Sequence, residues 1–310
     1  MIKEAHRNVK MMGTSIDLMV VHKEPEFVLD EMVERLKMYE QRFSANDDAS
    51  ELARINQAAG SESVQVHPEL FELIEIGKKH SLASESFLNI AIGPLIQAWR
   101  IGFSDARVPG KQEIEELLKI TNPKSICLER ETFSVYLKEK GMKIDLGALA
   151  KGYIADRLVD YLKEVKVKSA LINLGGNIIT YGPALKRADN LWRIGIQKPM
   201  SDRGEAQVIL KVDNQSVVTS GIYERLFEVG NDTYHHIFDP QTGYPVETGL
   251  ASLTIVSDLS VDCEIWTTRL FGHSPNKIME ELNQLNGIEG VVITKQDDVL
   301  YSNGLKNRIL

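Results

Sequence analysis

The chain has 310 residues, of which 43% are hydrophobic, enough to bury a sizeable core in one large domain or two closely packed halves. Its 36 basic and 44 acidic side chains give a formal charge of -8, and neither sign forms a long run. Composition therefore predicts a soluble globular protein and disfavours a nucleic-acid surface, which needs a clustered basic face.

The cysteines and the N-terminus disfavour further classes of protein. Cys127 and Cys263 lie far apart and outside any Cys-x-x-Cys or Cys/His spacing, so structural zinc and a disulfide framework are not expected. No apolar segment precedes the first charged residues, and no apolar run reaches the ~18 residues of a membrane span. We expect a cytoplasmic protein, with a trimmed exported form as the alternative.

The first part of the chain predicts a strand and then helices. The segment "NVKMMGTSIDLMVVH" has the pattern of a strand interrupted at Gly-Thr. The segment after it places Val28, Met32, Leu36 and Tyr39 on one helical stripe. Pro68 then stands at a favoured first-turn position of a second amphipathic helix.

Short strands dominate the rest of the chain. Two are predicted on either side of Gly141, the second ending at Asp145, and "SALINLGGNIITYG" predicts a buried strand ending at a Gly-Gly pair. Helical spacing returns in "ALAKGYIADRLVDYLKEV" and near 261–271 and 276–285. Because helices do not alternate regularly with strands, we predict an α+β fold of antiparallel sheets flanked by helices. It forms a single domain over 1–310, or two intimately packed subdomains.

The segment "IDLGALAKGY" has features of an anion site. Helix N-termini offer free N–H groups and a positive dipole end that suit phosphate oxygens, and Lys151 adds a full positive charge there. The alternative is that Asp145 only caps the helix while Lys151 is solvated.

The glycine pair at Gly175 and Gly176 is a weaker signal. Glycines let a backbone approach a ligand closely, but they also form ordinary turns. The pair is not part of a Gly-x-Gly-x-x-Gly pattern and no helix follows it, so a Rossmann site is rejected.

The predicted helix "VDCEIWTTRLFG" places Glu264 and Thr268 one turn apart on the same face. A carboxylate and a hydroxyl so placed can share a hard cation such as Mg²⁺, which prefers oxygen ligands. The alternative is that Thr268 bonds back to the helix and Glu264 is solvated. Asp262 is a rival carboxylate in the same turn.

The segment "YHHIFDPQTGYPVE" combines a predicted strand with the turn composition of "DPQTG". Neighbouring residues on a strand point to opposite faces, so His235 and His236 are not expected to enter one site together. Taken alone, the pair predicts one surface histidine and one half-buried histidine.

In chain order these segments resemble the ApbE-type flavin transferases, which are FAD:protein FMN transferases. The similarity covers nearly the whole chain, and several motifs in register are more specific than any one of them. The segments that carry it are "MMGTSIDL" (11–18), "FSANDDASELARIN" (43–56), "FLNIAIGPLIQAW" (87–99), "IDLGALAKGYIADRL" (144–158), "ALINLGGNI" (170–178), "WRIGIQKP" (192–199), "TSGIYERLF" (219–227), "HHIFDPQTGYP" (235–245) and "EIWTTRLFG" (264–272).

The resemblance implies a T-fold-like architecture and a reaction that needs FAD and Mg²⁺. A Thr or Ser hydroxyl of an acceptor flavoprotein attacks the phosphorus nearest riboflavin, and AMP leaves. Such chemistry depends mainly on positioning and charge neutralisation. The alternatives are an FAD pyrophosphatase that yields FMN and AMP, and a flavin-binding protein without catalysis.

The resemblance also assigns roles to individual residues. His236 is the candidate for contacting the reacting phosphate or accepting the hydroxyl proton. Mg²⁺ is assigned to the backbone carbonyl of Ala148 and to the side chains of Glu264 and Thr268. The residues assigned to FAD are Met12, Asn46, Leu88, Asn89, Asp145, Lys151, Gly175 and Gly176.

The chain departs from the common family pattern at four places. Asn46 stands where many members have an aromatic residue, and the usual Phe-Asp-x-Thr reads "LNIA" from Leu88. Asn177 replaces an Asp after the glycine pair, and Glu264 replaces the usual metal-binding Asp. These changes affect which residues bind the metal and whether a protein ring stacks on FAD.

Overall fold

The computed structural model describes residues 1–202, 204–230 and 232–310. Its largest element is an eight-stranded antiparallel sheet with the order β1-β2-β6-β7-β10-β13-β14-β15, accompanied by the smaller sheets β3-β5-β4, β8-β9 and β11-β12. The strands are β1 Lys3–Met11, β2 Thr14–His22, β3 Val64–Gln65, β4 Ile126–Glu129, β5 Ser134–Leu137, β6 Ser169–Leu174, β7 Asn177–Tyr181, β8 Trp192–Gln197, β9 Ala206–Val212, β10 Ser216–Gly221, β11 Leu226–Val229, β12 Asp232–His235, β13 Leu250–Ser257, β14 Glu289–Thr294 and β15 Val299–Tyr301.

The helices begin at the residues that the sequence marks. Proline occupies the first turn of the helices at Pro25, Pro68 and Pro275, where its missing N–H breaks no helical hydrogen bond. The helices are α1 Pro25–Phe43, α2 Glu51–Gln57, α3 Pro68–Ser81, α4 Gly93–Trp99, α5 Lys111–Leu118, α6 Ala150–Glu164, α7 Ser260–Leu270 and α8 Pro275–Leu282.

The large sheet is covered on both faces, which explains why every residue of β13 is buried. Side chains alternate between the faces of a strand. Ile255 packs in a cluster with residues of α7 and α8, whereas its neighbour Val256 packs with Ile194 and Val208 of the β8–β9 hairpin. Helices therefore cover one face of the sheet and a hairpin covers the other.

Two tight hairpins meet at one end of this sheet. Met12 and Gly13 connect β1 to β2, Gly175 and Gly176 connect β6 to β7, and all four residues have positive φ. Two-residue turns of this kind match the twist of the flanking strands. A Cβ on Gly175 would overlap Thr14, so the two turns are packed against each other.

The predicted α+β class, with antiparallel sheets flanked by helices, is confirmed. The helical stripe of Val28, Met32, Leu36 and Tyr39 is buried as expected. The strand predicted to end at Asp145 is wrong, because only an isolated bridge at Lys143 forms there. The buried strand predicted to end at the Gly-Gly pair is confirmed as β6, and β7 follows directly after the pair.

The short helices α2, α4 and α5 have no counterpart in the predicted elements, since segments of seven or eight residues show too few turns for a clear period. In the described ranges no helix is long and apolar enough to cross a membrane. The cytoplasmic location and the domain division both stay predictions.

Candidate functional site

The helices α6 and α7 cross closely at the end of the sheet that holds the two hairpin turns. Gly152 makes the approach possible, because a Cβ there would collide with the Ser260 carbonyl and with Glu264. The buried Asp156 carboxylate accepts hydrogen bonds from the backbone N–H groups of Ser260 at 2.7 Å and Val261 at 2.9 Å. A carboxylate from α6 thus holds the N-terminus of α7.

Burial raises the pKa of Asp156 to about 6, and the two backbone hydrogen bonds oppose that shift. Burial therefore disfavours the charged form of this carboxyl group, whereas the N–H groups of the helix terminus favour it.

Glu264 is the centre of a polar network between these helices and the sheet. Its side chain is 5% exposed, and its Oε1 accepts from Asn177 Nδ2 at 2.6 Å and from Lys151 Nζ at 3.1 Å. A buried carboxylate needs such partners to remain charged. The alternatives of a solvated Glu264 and of a solvated Lys151 are both wrong, because the two residues form a partly buried ion pair.

Further oxygen atoms lie on α7 and in the turn before α6. Thr267, and not Thr268, donates its hydroxyl to the Glu264 carbonyl at 3.0 Å. Among the described residues, no donor bonds to the Thr268 hydroxyl or to the backbone carbonyl of Ala148, which lies in the turn before α6. No group of three His, Cys, Asp or Glu side chains that could hold a metal occurs in the described ranges, so a cation here would need carbonyl, hydroxyl or substrate oxygens as well.

The rival carboxylate Asp262 lies in a different environment. Burial raises its pKa, and the positive charge of Lys79 on α3 opposes this shift. Since side chains two positions apart on a helix point in different directions, Asp262 is turned away from the Glu264 network.

Asp145 does not cap helix α6 as the alternative interpretation had it. Its Oδ1 accepts from the Gly147 N–H at 2.8 Å, inside the turn before the helix, and Leu149 occupies the cap position without a side-chain bond. Burial raises the pKa of the Asp145 carboxyl, while the charge of Arg225 opposes the shift. Asp145 is therefore a half-buried acceptor close to a cationic side chain.

The two adjacent histidines have different environments. His235 is buried, with Nε2 at 3.1 Å from the Val246 carbonyl and Nδ1 accepting from the Ile237 N–H at 3.3 Å. The prediction that one histidine of the pair lies at the surface is wrong, since His236 is half-buried. Its Nδ1 is enclosed yet has no partner among the described residues. Both ring nitrogens of His235 are thus occupied, whereas His236 retains a free one.

Burial lowers the pKa of His236 to about 4, and the positive charges of Arg225 and Lys151 add to this effect. The imidazole is therefore neutral at pH 7. The influence of Lys151 also places His236 in the neighbourhood of the Glu264 network.

The predicted turn at "DPQTG" is present, and hydrogen bonds hold it in place. Asp239 Oδ1 accepts from the Gln241 N–H at 2.8 Å, and the Trp99 indole N–H donates to the Gly243 carbonyl at 2.9 Å. Pro240 and Gln241 line a cavity of about 350 Å³ together with Leu88 and Asn89.

The residues assigned to FAD in the first half of the chain lie in three places. Met12 forms the first hairpin turn and donates its N–H to Glu40 Oε1 at 2.6 Å. Asn46 is exposed in the loop between α1 and α2. Leu88 is buried, and both ends of the Asn89 amide are engaged, with Nδ2 donating to the Thr121 carbonyl and Oδ1 accepting from Ala91 N–H.

Three residues of this site carry no assignment from the sequence. Asn177 stood out only as a departure from the family pattern, and Asp156 resembles any acidic residue in the middle of a helix. Arg225 lies within the motif "TSGIYERLF", which pointed to the segment but not to the side chain. Each becomes visible only when the fold brings distant segments together.

Comparison with known proteins agrees with this arrangement. The ApbE family model matches residues 12–292. The FAD:protein FMN transferase of Klebsiella pneumoniae (strain 342) is 41% identical, over 94% of this chain and 90% of the relative. That of Treponema pallidum (strain Nichols) is 33% identical, over 99% of this chain and 89% of the relative. The crystal structure of the ApbE protein from Thermotoga maritima has a TM-score of 0.90 at 27% identity, covering 99% of each chain.

These likenesses first define the class of protein, which is a transferase. More closely, the chain belongs to the ApbE family. The resemblance inferred from the ordered sequence motifs is confirmed.

Proposed function

We propose that this protein transfers FMN from FAD to a Thr or Ser hydroxyl of an acceptor flavoprotein, with AMP as the leaving group. The relatives named FAD:protein FMN transferase support it, since the chain matches them over most of their length. The structural observation that carries the proposal is the free, enclosed Nδ1 of His236 within electrostatic reach of Lys151, itself paired with buried Glu264. Such a set suits phosphoryl transfer, which depends on positioning and charge.

In this reaction the acceptor hydroxyl oxygen forms a bond to the phosphorus nearest riboflavin. The bond from that phosphorus to the bridging oxygen breaks, and the bridging oxygen leaves with AMP. His236 takes the hydroxyl proton at its free Nδ1. The flavin is neither oxidised nor reduced.

The protonation state of His236 supports this role. At pH 7 the buried imidazole is neutral and can accept a proton, although a pKa of about 4 makes it a weak base. A pyrophosphate bound beside the ring favours the imidazolium and so raises the pKa toward the working pH. Substrate binding would therefore activate the histidine.

The remaining side chains bind and orient FAD. Lys151 has three donor hydrogens and uses one bond on Glu264, so it can also contact a phosphate oxygen. Asp145 accepts hydrogen bonds from the adenosine portion in this proposal. Gly175 and Gly176, without side chains, let the substrate approach the backbone. Met12, Asn46, Leu88 and Asn89 complete the proposed dinucleotide site.

The donor atoms near Glu264 fit Mg²⁺, because a carboxylate, a hydroxyl and a carbonyl are hard oxygen ligands. Glu264, Thr268 and the Ala148 carbonyl would hold the ion. When bound, the ion supplies positive charge that stabilises phosphate oxygens. Asn177 keeps the longer Glu264 side chain directed into this position through its hydrogen bond.

The proposal is tested by incubating the protein with FAD, MgCl₂ and a panel of Thr- and Ser-containing acceptor proteins. We expect flavin fluorescence that stays on one acceptor in a denaturing gel and that is lost when a chelator is added. Free FMN and AMP without any labelled acceptor would instead identify an FAD pyrophosphatase. Tight FAD binding with no AMP would identify a binding protein.

A further inference from the structure

The β11–β12 hairpin carries an arginine for which the reaction described above has no role. The last rung of this antiparallel ladder pairs Leu226 with His235, and Arg225 and His236 are the residues that follow it on the two strands, so the same register continued by one residue sets them opposite each other. Directly opposed residues of an antiparallel pair have their side chains on the same face. Arg225 and His236 are therefore neighbours on one face of the hairpin, and Leu226 and His235 lie on the other.

Arg225 is exposed, and one side-chain contact holds its stem in this position. The side chain runs across Gly102, where an added Cβ would lie 3.0 Å from Arg225 Cδ. Gly102 has a positive φ of 93°, so the loop after α4 both needs glycine there and leaves room for the arginine stem.

The guanidinium itself has no partner in the described part of the chain. No carboxylate there forms an ion pair with it, although many other arginines of the molecule are paired. Arg225 is nonetheless close enough to Asp145 and His236 for its charge to lower the pKa of both groups. An unpaired guanidinium beside an enclosed, unpartnered imidazole nitrogen is suited to an anion.

We propose that the Arg225 guanidinium binds the pyrophosphate of FAD beside His236 and neutralises the charge that develops on the leaving phosphate; this inference rests on the proposed function. The planar fork of arginine matches two phosphate oxygens at once. Arg225 is then a catalytic residue that contacts the substrate. Lys151 supplies the second positive charge from the helix side of the site.

The first test compares the variants Arg225→Gln, Arg225→Lys and Arg187→Gln. Arg187 is a matched control, because it is exposed and lies beyond the end of β7 opposite to Asn177. With FAD, MgCl₂ and an acceptor, we expect Arg225→Gln to lower kcat/KM roughly 100-fold, with Arg225→Lys in between. Arg187→Gln keeps the wild-type value. Thermal unfolding of each variant shows whether the fold is retained.

The second test uses inorganic pyrophosphate and NMR signals of His236, and it does not depend on turnover. Loss of the guanidinium should raise the pKa of His236 in Arg225→Gln but not in Arg187→Gln. Pyrophosphate affinity should fall in the first variant alone.

The outcomes separate this inference from the proposed function. Wild-type kcat/KM and unchanged pyrophosphate affinity in Arg225→Gln overturn the role of Arg225 while leaving the transferase intact. A wild-type protein that labels no acceptor, but whose pyrophosphate affinity still depends on Arg225, overturns the transferase and supports an anion site at Arg225.

Discussion

The two sides of the site differ in how their polar groups are satisfied. On the helix side, Glu264 and Asp156 are buried and each accepts two hydrogen bonds. On the hairpin side, His236 Nδ1 is enclosed without a partner and Arg225 is unpaired within the described residues. Because buried polar groups normally have partners, we expect the enclosed His236 Nδ1 to gain a partner when substrate binds, whereas the Glu264 and Asp156 carboxylates have theirs already.

The packing behind each side explains this difference. The helix side rests on the eight-stranded sheet, with α6 and α7 in close contact through Gly152. The hairpin side has only the two strands β11 and β12, and a two-stranded ribbon is marginally stable alone. The Trp99 ring supports it through contacts with Tyr234, Phe238 and Tyr244.

The largest expected effect comes from removing the charge at the centre of the helix side. Glu264→Gln keeps the shape of the side chain but loses the negative charge, so we expect metal-dependent transfer to fall more than about 100-fold. Turnover measured across a MgCl₂ titration checks this. Asp262→Asn is the control, since Asp262 is the rival carboxylate in the same turn of α7, and an equal loss in that variant would contradict the assignment of Glu264.

On the hairpin side, His236→Gln should reduce transfer roughly 100-fold, because the proton acceptor is lost while FAD binding is retained. Single-turnover rates and FAD titration measure the two quantities separately. The control His235→Gln breaks one buried and one partly buried hydrogen bond and so lowers the free energy of unfolding. Rates must therefore be expressed per folded molecule, and a larger loss in His235→Gln on that basis would contradict the proposed role of His236.

Acid should destabilise the fold in part through His236. The native His236 has a pKa of about 4, and the unfolded chain has the ordinary value of 6.5. Between these values the unfolded state binds more protons, so stability falls as pH falls. Urea unfolding at pH 7 and 4.5 should show the wild type losing roughly 2 kcal/mol relative to His236→Gln. A constant difference between the two proteins would show that the imidazole is not buried as described.

The smallest expected effect concerns the cap that holds α7. Asp156→Ala removes the acceptor of two buried N–H groups, so we expect a loss of about 2 kcal/mol in the free energy of unfolding. The matched control is Ser274→Ala at the N-cap of α8, where the bond to Lys277 N–H is longer, at 3.4 Å, and exposed. Denaturant titration should rank Asp156→Ala well below Ser274→Ala in stability, and equal values would contradict a special role for this cap.

The sequence predicts much of the fold, but it predicts the site unevenly. The stripe of Val28, Met32 and Leu36 marks α1 because burial follows helical period, and Pro68 marks the start of α3 because proline fits a first turn. Glu264 and Thr268 are placed on one helix by the same reasoning.

Contacts between distant segments could not be predicted this way. The bond from Asn177 to Glu264 joins residues that lie far apart in sequence, and the proximity of Arg225 to His236 follows from the register of the β11–β12 hairpin. The alternation of side chains along a strand correctly predicted different environments for His235 and His236. It could not predict that other segments would bury or partly bury both side chains. Local periodicity carries no information about such tertiary contacts.

The transfer of FMN is tested most directly by measuring AMP release and acceptor labelling in the same sample. We predict one AMP for each FMN attached to the acceptor, determined by chromatography and intact-protein mass, and negligible AMP when the acceptor is left out. AMP released at the same rate with and without acceptor, with no gain in acceptor mass, would contradict it.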